Sequence, residues 1–180
     1  MHFRVSDNFF CYRKTVYFFE LFNDIVYSAV DGGIIKPTFY IDYKGKNIPE
    51  SFFKRNYANV AEFRQEYSKT SYAHGIFNFV AFDRFIMFCS YQEKLKLTVF
   101  DQNDLISSTF TYIKDDVCFN DLICPVSTYY YADKHLFLKI DANQAVEWRK
   151  EHPPTEQFQE IVNTTDEDDN PLFLICDFKL

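Results

Sequence analysis

Four strand-forming runs, GIFNFVAF, RFIMFCS, KLKLTVF and LISSTFTYI, follow one another between residues 73 and 113 with little but turn residues between them. Connections that short return each strand beside its predecessor, so the segment predicts an antiparallel sheet. In KLKLTVF, Leu95, Leu97 and Val99 alternate with Lys94, Lys96 and Thr98, which gives one apolar and one polar face. RFIMFCS is apolar without a break from Phe85 to Cys89, the pattern of a strand covered on both faces. The separators Asp83-Arg84, Gln92-Glu93 and Gln102-Asn103-Asp104 are turn chemistry.

The same alternation recurs on both sides. KPTFYIDY sets Phe39, Ile41 and Tyr43 against Thr38, Tyr40 and Asp42, and VSTYYYA, HLFLKI and PLFLICDF add further strands. Strand clusters centre near residues 8–43, 73–113 and 117–179, giving blade-like units near 1–45, 73–115 and 117–180 with a helical insertion at 48–70. Asn59 is placed to cap VAEFRQEY, with Glu62 completing a capping box and Val60, Phe63 and Tyr67 as the buried stripe. Asp141 and Gln144 frame a second helix through Trp148, and Thr155 a third over EQFQEIVN that buries Phe158, Ile161 and Val162. These helices are short and irregularly spaced, unlike the strict alternation of a parallel α/β fold. The fold class is all-β with short helical insertions. Four strands in about 40 residues fit a propeller blade, but periodicity leaves propeller, sandwich and barrel open.

Aromatic residues make up 20% of the chain, 22 Phe and 13 Tyr, and rings pack well on pleated surfaces. The net charge of −7 argues against nucleic acid and against an anionic membrane surface. There is no run of 18 apolar residues, so no transmembrane segment is expected, and MHFRVSDNFF does not read as a signal peptide. Cys11, Cys89, Cys118, Cys124 and Cys176 are an odd, scattered set, mostly within apolar runs, where cysteine acts as a small hydrophobe.

The stretch NDIVYSAVDGGIIKPTFYIDYKGKNIPESFF resembles the signature of the six-bladed β-propeller family of Bacteroidetes cell-envelope proteins. Asn23, Asp24, Val26, Tyr27, Pro37, Tyr40, Asp42, Gly45, Ile48 and Pro49 fit that pattern, while Ile25 replaces a threonine and Lys44 sets Gly45 one place late. FNDLIC, with Cys124 in place of glycine, and the closing DEDDNPLFLICDFKL are similar to later segments of the family. The resemblance implies a partial six-bladed propeller of about three blades, corresponding to the C-terminal half of such a protein. It implies a periplasmic or outer-membrane-associated location as well. A half-ring leaves blade faces uncovered, so the expected partners are a missing N-terminal half or a second copy as a homodimer, beside a protein or glycan ligand.

Chemistry is sparsely marked. His2, His74, His135 and His152 lack metal-ligand spacing, and no nucleophile elbow, phosphate loop, dinucleotide fingerprint or zinc-protease motif occurs. No catalytic set, no metal and no cofactor are expected. The acidic run Asp166-Glu167-Asp168-Asp169-Asn170 has Pro171 where a helix-loop-helix calcium loop needs glycine, and reads as a solvated loop. Asn163-Thr164-Thr165 matches the glycosylation triplet, which needs a secretory eukaryotic context. Candidate binding residues are His74, at a strand entrance where it could face a funnel, Tyr129 and Tyr131, on one face of a strand, and Trp148, as a surface anchor. A non-catalytic binding or scaffolding module is the first expectation. The alternatives are a glycan-active hydrolase or lyase using carboxylates or His74 in the funnel, and a fragment without activity of its own.

Overall fold

The computed structural model describes residues 8–30, 32–82, 84–115, 117–119, 122–126, 129–132 and 135–177. The protein is mostly β, with antiparallel sheets, as the alternation predicts. It divides into two compact units, Met1–Thr109 and Phe110–Leu180.

The first unit holds two four-stranded meanders. β1 (Phe9–Tyr12), β2 (Thr15–Phe19), β3 (Ile25–Val30) and β4 (Ile34–Tyr40) lie in sheet order, each antiparallel to the last. β5 (His74–Phe82), β6 (Phe85–Gln92), β7 (Lys94–Asp101) and β8 (Ile106–Phe110) repeat the arrangement. The turns explain the meanders: Arg13 and Lys14 both take positive φ (53° and 94°), as do Gly32 and Gly33, so each tight hairpin twists with its strands. Pro37 lies in β4, an edge strand, where its missing N–H removes no interior ladder bond.

Pairing sets the faces. Phe10 stands opposite Tyr17, and Phe19 opposite Val26, which in turn faces Phe39. These side chains pack against Ile76, Phe79, Ile86, Phe88 and Phe100 of the second meander to form the core of the unit. Phe79 is its hub, with ring centroids 5.8 Å from Tyr17, 5.9 Å from Phe19 and 6.4 Å from Phe10. β1 lies beside β5, so the first strands of the two meanders are neighbours. Residues Ile86 to Ser90 of β6 are all buried, as the unbroken apolar run predicts.

Between the meanders run α1 (Glu50–Phe53) and α2 (Val60–Ser68). Phe52, fully buried, gathers the rings of Tyr57, Phe63, Tyr67 and Tyr72 at 5.6–5.9 Å. Phe22, held at φ +66°, drops its ring onto Phe63 and Tyr67. The Asn59 side chain caps α2 by accepting from the Glu62 N–H at 3.0 Å, and Glu62 reaches back to the Ala58 N–H. Val60 departs from the predicted stripe. It is exposed, because the first helical position points away before the buried stripe begins at Phe63 and Tyr67.

The second unit contains the hairpin β9 (Tyr112–Asp115) and β10 (Leu122–Pro125), and the sheet β11 (Tyr129–Ala132), β12 (His135–Ile140) and β13 (Leu172–Asp177). LISSTFTYI, read as one strand, is therefore two: β8 ends at Phe110, and β9 starts at Tyr112 with a different partner. α3 (Ala142–Glu151) and α4 (Gln159–Thr164) pack Ala145, Trp148 and Val162 on Phe119, Ile140 and Cys118. Gln144 accepts from the Asp141 N–H at 3.4 Å, as the framing residues predict. Thr155 does not cap the next helix. Its hydroxyl donates to the Val117 carbonyl and its N–H to that of Cys118, and the segment breaks into a 3₁₀ turn (Glu156–Phe158) before α4. Ile161 consequently faces solvent, while Val162 is buried. The buried Asp115 carboxylate accepts from the N–H groups of Val117, Cys118 and Phe119 at 3.0–3.1 Å.

Candidate functional site

The first unit carries a cleft of about 670 Å³ between the two meanders, where β4 splays from the face of β6, β7 and β8. Strand register builds its wall. Ile86 pairs with Phe100, Phe88 with Thr98 and Ser90 with Lys96, so one face of β7 presents Lys96, Thr98 and Phe100 in succession. Thr98 and Thr109 share a hydroxyl–hydroxyl bond of 3.2 Å, which carries the polar surface across to β8. Phe39, Phe79 and Phe88 form the floor, and Thr38, Asp42 and Lys44 close the side made by β4 and the loop after it.

That loop is held by the residues of the NDIVYSAV…KGKNIP stretch. The Asn23 carboxamide accepts from the Ile25 N–H at 3.0 Å, and Asp24 accepts the Ile41 N–H on its carbonyl at 2.8 Å. Asn47 accepts from the Tyr43 N–H and donates to the Ile41 carbonyl, both at 2.8 Å. Lys44 and Gly45 turn the chain at φ 54° and 81°, and the Lys44 N–H is held by the Asp42 carboxylate at 2.8 Å. At the rim an ion pair of 2.9 Å between Lys46 and Glu93 ties the loop to the β6–β7 turn. Beneath it the buried Tyr43 hydroxyl has Ser90 beside it but no hydrogen bond of ordinary length. Burial, then the nearby Asp24 charge, pushes the Tyr43 hydroxyl above its usual pKa. Burial likewise raises the Asp24 carboxyl, partly offset by a hydrogen bond with Asn47.

Among the described residues no group of three or more His, Cys, Asp or Glu side chains is gathered as a metal site requires. Asp42 is the one carboxylate among the described residues of the cleft lining, beside the amines of Lys44 and Lys96.

No family model matches the sequence, and no curated protein matches it. The fold is similar to a solved structure. That structure is of a "Putative exported protein" from Bacteroides fragilis, with a TM-score of 0.70 and 13% sequence identity. The match covers 95% of this chain and 49% of the other, so the chain spans about half the length of the protein it resembles. At that identity the likeness concerns the fold.

Of the sequence-predicted binding residues, Trp148 alone has a described side chain. His74 opens β5 opposite Tyr91, but its side chain lies outside the described residues. Tyr129 and Tyr131 pair with Leu138 and Leu136 in the second unit, and their side chains too lie outside the described residues. Trp148 is half-buried in the core of that unit, its ring 5.9 Å from Phe119 and nearly perpendicular to it. The cleft residues Lys96 and Thr98 were visible as the polar face of KLKLTVF. What alternation does not reveal is that this polar face is turned toward another sheet and not toward open solvent.

No helix among the described residues is long and apolar enough to cross a membrane. Cys89 and Cys118 are buried thiols, and Cys11 is exposed. Residues Asp166 to Asn170 form an exposed turn in which the Asp169 carboxylate accepts from the Asp166 N–H at 2.8 Å.

Proposed function

We propose that this chain is a segment of a six-bladed β-propeller from the bacterial cell envelope, working as a non-catalytic binding or scaffolding module. Each meander of the first unit is one blade, and the cleft between them is the binding site. The cleft carries this reading: rings, hydroxyls and amines converge there, without a second carboxylate among the described lining residues. The consecutive four-stranded meanders, with β1 beside β5, support the blade assignment, because propeller blades are four-stranded sheets arrayed around an axis. The fold likeness to the "Putative exported protein" of Bacteroides fragilis, about twice the matched length, supports the envelope location and a larger ring.

In such a ring the outward face of the β1–β4 sheet is covered by a further blade. That face carries a row of rings, Phe9, Phe18 and Tyr27, with centroids 6.0 Å and 5.3 Å apart, and Phe9 is 67% exposed. Titration of the chain with a panel of envelope glycans and extended peptides tests the function. Saturable binding is expected, with amide shifts confined to cleft residues and every probe recovered intact. Release of cleavage products would overturn the non-catalytic reading.

A further inference from the structure

The lining of the cleft is uneven in a way that selects a ligand. Along the cleft face of β7, Lys96, Thr98 and Phe100 bring an ammonium, a hydroxyl and a ring two residues apart. At the strand rise the series spans about 13 Å. A sugar chain matches such a lining, because each pyranose has an apolar C–H face for a ring and hydroxyls for Thr98, Thr109 and Gln92.

Charge narrows the class. The chain as a whole is acidic at −7, yet the described lining holds Lys44 and Lys96 against Asp42. Asp42 is engaged by the Lys44 N–H, and the nearby Glu93 is paired with Lys46 at the rim and attracted more weakly by Lys96. Lys96 is steered by a long bond of 3.4 Å to the Gln92 carboxamide, so the ammonium and the amide stand together at one end of the cleft. Cations retained in a cleft of an acidic protein favour an anionic ligand and raise its local concentration.

Resting on the binding-module reading, we propose that the cleft takes an acidic oligosaccharide, its sugar faces on the phenylalanine floor and its carboxylate or sulfate groups at Lys44 and Lys96. Peptides are the less favoured class, since an extended peptide would be held through its backbone at the open edges of β4 and β8 and would not need these lysines.

Calorimetric titration of the full chain with an oligogalacturonate hexamer, a heparin-derived hexasaccharide, maltohexaose and an uncharged extended peptide tests this. Binding of one or both acidic probes is expected, weakening as salt rises, with maltohexaose at least tenfold weaker. The two acidic probes distinguish carboxylate from sulfate. Lys96→Gln and Lys44→Gln should each lower affinity about tenfold, the loss of one charge-assisted bond. Lys54→Gln just past α1, whose partner is Glu50, should leave it unchanged. Matching thermal melts establish that all three variants are folded. Equal affinity for maltohexaose, binding of extended peptides alone, or acidic binding untouched by both cleft variants overturns the inference and leaves the module reading standing. Cleavage of a bound probe overturns the module reading instead, and no binding by any probe overturns both.

Discussion

Asp24 illustrates how a single side chain in this protein bears an electrostatic cost for the sake of position. It is half-buried at the foot of β3, near the hydroxyls of Tyr43 and Tyr67, and burial raises its pKa above 3.8. A raised folded-state pKa means that the stabilising contribution belongs to the protonated form. It is complete below the unfolded value and fades as pH rises through the folded one. Asp24→Asn keeps the shape without the charge, so its melting temperature relative to wild type should climb between pH 4 and pH 7. A pH-independent difference would count against this account. Asp101 has the opposite sign. The Arg84 guanidinium donates to both its oxygens at 2.7–2.8 Å, and its pKa falls from 3.8 to about 2. Its contribution is present above pH 4 and lost as pH drops toward 2. Arg84→Met should therefore melt below wild type at neutral pH, with the gap closing over that acid window.

At the scale of elements, local signals were legible where their partners are local. Asn59 caps α2 as its spacing predicts, since donor and acceptor lie three residues apart. Thr155 has the same local chemistry but spends it on the Val117 carbonyl, 38 residues away, and no window of sequence contains that partner. The C-terminal end of α4 is held by another distant partner, Arg149 of α3, whose guanidinium donates to the carbonyls of Val162, Asn163 and Thr165 at 2.7–3.1 Å. Val162 and Asn163 lie in the last turn of α4 and Thr165 just past it, where helix carbonyls run short of backbone donors. Arg149→Met should cost about 1–3 kcal/mol in urea unfolding, and Arg149→Lys should recover part of it. A melt unchanged in both variants would remove Arg149 from this role.

At the scale of the molecule, exposed apolar surface is the outstanding feature of the first unit. Among the described residues β4 and β8 are edge strands, and the row Phe9, Phe18 and Tyr27 lies on the sheet face opposite the core. Lys36 and Pro37 on β4 hinder strand addition at that edge, while Phe9 is 67% exposed. Sedimentation of the chain should show reversible self-association that Phe9→Lys weakens about tenfold or more, given the usual gain from burying one aromatic ring. A monomer at all concentrations would argue that this face needs no cover.

Alternation and turn residues were sufficient to establish strands, their antiparallel return and the buried β6, because side-chain period and hairpin geometry are written within a few neighbouring residues. They also exposed Lys96 and Thr98 as one face of a strand. Which face meets which sheet is not local information. Phe39, Phe88 and Lys96 become lining of one cleft only because two meanders pack at their first strands and part at their last. The split of LISSTFTYI is likewise a matter of partners, since β9 pairs with β10 and β8 with β7.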